Sequence, residues 1–296
     1  MKKEAGLFLK GFAMGAANVI PGVSGGTIAF ISGIYERLIK ALKSFDLSIL
    51  KLFRQGHFRE IVGKTDLKFL SILFLGIAFS IFSLAHLLEY IIKYYETFTL
   101  AFFFGLVVAS SLGVGRQISK FSLSVLITFC IGCSFAVSVA LLTPMEANDH
   151  WAYVVLCGIV AVSSMILPGL SGSYVLLLMG NYALMLQSIS HLNFKFLIPF
   201  VLGCLLGLII FSRLLNYFFD HFQDATISLL TGFVVGSLLI IWPWKTTHYI
   251  KIETREKAIG YDWYFPSFDY EMIIGVGLIL LGFIVVSGIE RLGTKG

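Results

Sequence analysis

A chain of 296 residues with 57% hydrophobic, 15% aromatic and only 13% charged residues, and a net charge of +5, lacks the polar surface of a soluble globular domain, where about a quarter of residues are charged. Its mean hydropathy is +0.89, and several apolar runs reach the roughly 20 residues that cross a ~30 Å hydrocarbon core. The runs are continuous rather than alternating, which excludes a β-barrel and leaves an all-α, polytopic membrane protein.

The opening "MKKEAGLFLKGFAMGAANV" has the lysines, apolar stretch and small residues of a signal peptide. Lys10 interrupts the apolar part, however, and cleavage near Ala17 would remove the approach to the glycine motif, so the segment is expected to stay. From Asn18 the chain reads "NVIPGVSGGTIAFISGIY". Proline and glycine there break a helix into pieces of about 16 and 12 residues, or ~24 and ~18 Å, each too short to span. A re-entrant hairpin is expected over 5–38. The polar, basic run 38–66 is amphipathic and is expected to lie on the inner leaflet against anionic lipid. Apolar runs at 67–92, 97–115 and 121–142 complete three spans. The CxxC of Cys130 and Cys133 has no further ligand in its run and reads as small residues at a helix contact.

The same order then begins again. A second broken segment, 151–187, contains "MILPGLSGSYVLLLMGNY" from Met165, and three more runs lie at 196–218, 225–244 and 271–290. A shift of 147 places Pro21, Gly22, Ser24, Gly25, Gly33 and Tyr35 on Pro168, Gly169, Ser171, Gly172, Gly180 and Tyr182. A shift of 127 aligns Lys68–Ser110 with Lys195–Ser237. Two repeats, 1–145 and 146–296, are predicted, each one re-entrant helical hairpin plus three transmembrane helices. Charge sets their orientation. A returning hairpin keeps Lys2, Lys3 and Lys10 on the side of Arg37, Arg54, Arg59, Lys64, Arg116, Lys120 and Arg291, which positive-inside asymmetry makes cytoplasmic. "TPMEANDH" and the aromatic loop Trp242–Tyr270 then face outward. The repeats are expected to be inverted, with both termini cytoplasmic and the hairpin tips meeting near the midplane.

Helix N-termini at such tips present unpaired N–H groups, and glycine lets a ligand approach backbone. Asn18, Ser24, Gly25, Gly26 and Thr27 in the first tip, with Ser171, Gly172, Ser173 and Tyr174 in the second, form a candidate phosphate or carboxylate site. Close helix packing is the competing explanation for the small residues. Arg213, inside a span, is a candidate phosphate ligand. His86 and Glu89, also inside a span, are candidates for proton coupling or gating, as are Glu36 and Arg37 at the end of the first hairpin. GxSG also surrounds the serine of rhomboid proteases, but nothing fixes a base beside Ser24 or Ser171, and one catalytic serine has no use for two motifs. Neither glycine cluster carries the Lys-Ser/Thr of a nucleotide-binding loop. No cofactor, metal, nucleic acid or enzymatic activity is expected.

"GFAMGAANVIPGVSGGTIAFISGIYERLI" and "SSMILPGLSGSYVLLLMGNY" resemble the bacterial polyprenyl-phosphate transporter family, and the resemblance extends over essentially the whole chain. It implies a plasma-membrane translocase that returns undecaprenyl phosphate from the outer to the inner leaflet, with polyprenyl phosphate and membrane lipids as its partners. The residues themselves point only to an anion site between repeats, and a transporter or channel for a small soluble anion is the alternative.

Overall fold

The computed structural model describes residues 2–19, 24–45, 47–252 and 255–293, so Pro21 and Gly22 of the first motif lie outside the described residues. α1 (Lys2–Val19) runs to that motif and α2 (Gly25–Ile31) runs back along it. At one end the Gly25 N–H donates to Asn18 Oδ1 at 2.7 Å; at the other, Lys10 Nζ donates to Ser32 O at 2.7 Å. Gly33, at φ +72°, ends this run and α3 (Tyr35–Lys43) departs. The amphipathic run folds into α4 (Leu47–Arg54) and α5 (Phe58–Lys64), with exposed Phe53 and Phe58 edge to face at 5.6 Å.

α6 (Leu67–Gly115) starts beside the start of α1, where Lys68 pairs with Glu4 at 2.5 Å. The two then run in the same direction, Gly11 against the Leu73 backbone and Gly15 against Ile77. The chain has therefore come back, through α2 to α5, to the end from which it set out. At 49 residues α6 is about 73 Å long by helical rise, more than twice a membrane core. One non-helical residue, Tyr95 (φ −139°, ψ 41°), divides it into two segments that hold apolar spans at 67–84 and 94–115. Two separate runs were expected there; the break is a single residue.

α7 (Leu123–Leu141) closes the first half, and the second repeats its order: α8 (Trp151–Ile166), α9 (Gly172–Leu178), α10 (Tyr182–Ser190), α11 (Phe194–His221) and α12 (Gln223–Ser237). Contacts repeat with it. Tyr153 Oη donates to Met179 O at 2.9 Å, joining the start of α8 to the end of α9, and Gly180 takes φ +78° where Gly33 takes +72°. Gly158 rests on the Phe200 backbone as Gly11 does on Leu73. Phe222 (φ −138°, ψ 50°) separates α11 from α12 at the position matching Tyr95.

The halves interlock through their last helices. α7 packs along α12, while the final helix, α13 (Tyr270–Gly293), packs along the second segment of α6. A Cβ at Gly232 would lie 2.3 Å from Phe129 O, and one at Gly132 2.2 Å from Leu229 O; the matching pairs are Gly105 on Ile279 and Gly282 on Phe102. Backbones that close leave room only for glycine. Asp224, at the start of α12, accepts from the N–H groups of Ser119 and Lys120 beyond the end of α6. Glu96, at the start of α6's second segment, accepts from Thr247 and Tyr249 beyond the end of α12. Those two segments run in opposite directions. One core, including Met14, Phe30, Leu73, Val107, Leu230 and Val234, joins both halves.

Among the described residues five helical segments are long and apolar enough to cross a membrane, and the chain is a multi-pass membrane protein, nearly all helical. The segment between α12 and α13, expected as an aromatic loop, is instead an antiparallel hairpin of β1 (Lys245–Ile252) and β2 (Arg255–Trp263), bulged at His248/Tyr249. Its Thr, Tyr and Ile content favours a strand, and the aromatic count hid that pattern.

Candidate functional site

The two glycine motifs meet. The Gly169 N–H donates to Thr27 Oγ1 at 2.8 Å in a buried hydrogen bond, and a Cβ at Gly26 would lie 2.9 Å from Ile166 O. Gly169 takes φ +82°, and a side chain there would also meet Phe233 O at 2.6 Å, so the second turn is held between α2 and α12 by a residue that must be glycine.

Within this junction the tips are unequal. In the first, the Ser24 side chain caps α2 by accepting from the Gly26 N–H at 3.1 Å, Asn18 takes the Gly25 N–H, and the Thr27 N–H bonds Ser24 O at 2.9 Å. Ser24 and Thr27 are 6% and 2% exposed. The helix start that was expected to offer free donors is satisfied from within the protein. In the second tip Ser171 makes no side-chain cap to α9; its Oγ lies 3.1 Å from Ser173 Oγ. Ser171 and Gly172 are half-buried and Ser173 is exposed. Gly172 itself is required by packing, since a Cβ there would be 2.5 Å from Ala161 O. The Tyr174 hydroxyl is buried without a hydrogen-bond partner among the described residues.

The remaining sequence candidates lie elsewhere. Arg213 is exposed on α11 between exposed Ile210 and Leu214, with no hydrogen-bond or ion-pair partner among the described residues. Glu36 pairs with Lys40 at 2.6 Å, and Arg37 makes a two-point contact with Asp66 at 2.7 and 3.1 Å while lying 4.3 Å over the Phe69 ring. The first pair lies within α3, and the second ties α3 to the start of α6. His86 and Glu89 belong to α6, but their side chains lie outside the described residues.

Two features were not anticipated. Asn181, fully buried, accepts from the Asn148 N–H at 2.9 Å and donates to Asn148 O at 2.8 Å, pinning the end of α9 to the approach to α8. An asparagine where the first copy has Ile34 was the available signal. The other is Lys245, whose ammonium donates to Ile240 O and lies 4.4 Å from the Tyr261 ring. Burial lowers its pKa to about 8, against the opposing pull of Glu96. Nothing in an isolated lysine of a mixed-charge loop announces that.

Residues 14–259 match the family described as undecaprenyl phosphate translocase-like. The chain is 36% identical over 301 aligned residues to a polyprenyl-phosphate transporter of Vibrio cholerae, covering 97% of this chain and 96% of that one. It is 30% identical over 272 residues to a polyprenyl-phosphate transporter of Staphylococcus aureus, covering 82% and 87%. No solved structure matches it.

Proposed function

The chain belongs to the undecaprenyl phosphate translocase-like family, and from that premise we propose that it returns polyprenyl phosphate from the outer to the inner leaflet of a bacterial plasma membrane. The near full-length kinship with two proteins named as transporters of that lipid carries the reading, and it makes the protein a transporter rather than an enzyme. α1–α2 and α8–α9 act as re-entrant hairpins of two inverted halves. In support, each hairpin turns back along itself, and α12 runs opposite to its counterpart in α6.

Such a lipid has one anionic head and a tail that never leaves hydrocarbon, so only the head needs a polar path. That path runs past the joined tips. The phosphate engages the second tip rather than the first, because Ser171 leaves the start of α9 without a side-chain cap while the first tip's donors are taken. The basic side, with α4 and α5, is cytoplasmic, as positive-inside asymmetry requires.

Melting of the purified protein tests the ligand class. Undecaprenyl phosphate is expected to raise the melting temperature more than undecaprenol or inorganic phosphate does, since only a ligand of the folded state stabilises it. Equal stabilisation by inorganic phosphate would favour a soluble-anion transporter instead.

A further inference from the structure

The β-hairpin carries an amphipathic site of its own. Lys245, half-buried at the start of β1, has no carboxylate in ion-pair reach among the described residues; its ammonium has the Ile240 carbonyl and the face of Tyr261. Glu96 attracts the ammonium without forming an ion pair with it among the described residues, so the ammonium's burial stays incompletely compensated, and an arriving anion relieves that cost. Tyr261 is itself buried, with the Lys245 ammonium over its ring at 4.4 Å, and burial raises the pKa of its phenol. Beside this polar group lies a cleft of about 250 Å³ lined by Leu239, Trp242, Trp263, Tyr264 and Phe265. The two parts adjoin, since Trp263 of the cleft is the strand partner of Lys245 and its ring is 5.9 Å from that of Tyr261.

We infer that Lys245 and Tyr261 receive the phosphate head of an isoprenoid lipid while the adjoining aromatic cleft takes the first part of its chain. The inference rests on the transport reading and adds the place where the lipid is first held. A cation and a phenol hydroxyl next to an apolar aromatic cleft match a phosphate monoester on a hydrocarbon chain. Inorganic phosphate gains nothing from the cleft, and a prenol gains nothing from the ammonium.

Farnesyl phosphate, farnesol and inorganic phosphate are titrated into the purified full-length protein, with tryptophan fluorescence as the readout and melting temperature measured on each preparation. Wild type is expected to bind farnesyl phosphate more tightly than either control. Lys245→Gln should weaken farnesyl phosphate roughly tenfold or more, as loss of a charged hydrogen bond does, with farnesol binding unchanged. Tyr261→Phe, which keeps the ring under the ammonium, should also weaken it with little change in melting temperature, because the deleted hydroxyl makes no hydrogen bond among the described residues. If Lys245→Gln does not fold, Tyr261→Phe decides. A folded variant of either kind that binds farnesyl phosphate like wild type overturns the site and leaves the transport reading standing. Wild type that fails to bind farnesyl phosphate overturns both.

Discussion

Thr27 is the residue on which the two motifs close. Its hydroxyl accepts the Gly169 N–H at 2.8 Å, and it is 2% exposed. Thr27→Val preserves the shape but strands a buried N–H, at a cost of about 1–3 kcal/mol. Thermal unfolding in detergent should show that loss for Val and a smaller one for Ser; a Val variant as stable as wild type would mean the bond contributes nothing. Arg213 is a different case. Its place among exposed Ile210 and Leu214 favours a side chain that anchors α11 to the membrane surface over a two-point phosphate contact. Arg213→Lys is then expected to transport lipid like wild type, whereas a large loss would restore the planar fork to the mechanism. The motifs were legible at this scale because proline and glycine inside apolar runs are conspicuous. Which hydroxyl caps its own helix and which does not was not, because Ser24 and Ser171 occupy equivalent sequence positions and differ in the bonds made around them.

Among the elements, the helix pairs read most clearly were those with long apolar runs, and the 127-residue shift anticipated even the matching breaks at Tyr95 and Phe222. The exchange of last helices was not readable. α7 belongs to the first half by sequence yet lies along α12 of the second, a choice made by facing glycines far apart in the chain. α12 has only 15 helical residues and buries most of them, so it owes its position to that packing more than to its own hydropathy. Gly232→Val would force the α7 and α12 backbones apart from a Cβ distance of 2.3 Å. Overpacking of this kind costs about 1–3 kcal/mol or more, and a marked fall in unfolding temperature is expected. An unchanged value would show that the two helices are not in contact. The β-hairpin escaped sequence reading for a simpler reason: Trp and Tyr are expected at any membrane interface, and they masked the strand alternation.

For the whole molecule, orientation and transport stand or fall on separate measurements. With Cys130, Cys133, Cys157 and Cys204 replaced, a cysteine at Arg54 should resist an impermeant thiol reagent in intact cells and one at Asn148 should react. Outside labelling at position 54 would reverse the charge-based orientation. Transport itself is tested most directly in sealed liposomes that hold undecaprenyl phosphate in both leaflets and are exposed to a phosphatase that cannot enter. Liposomes without the protein should lose only the lipid phosphate of the outer leaflet. With the protein present, hydrolysis should run nearly to completion while a soluble dye stays trapped. Hydrolysis that stops at the outer-leaflet share, with folded protein in the membrane, would contradict a translocase of lipid phosphate.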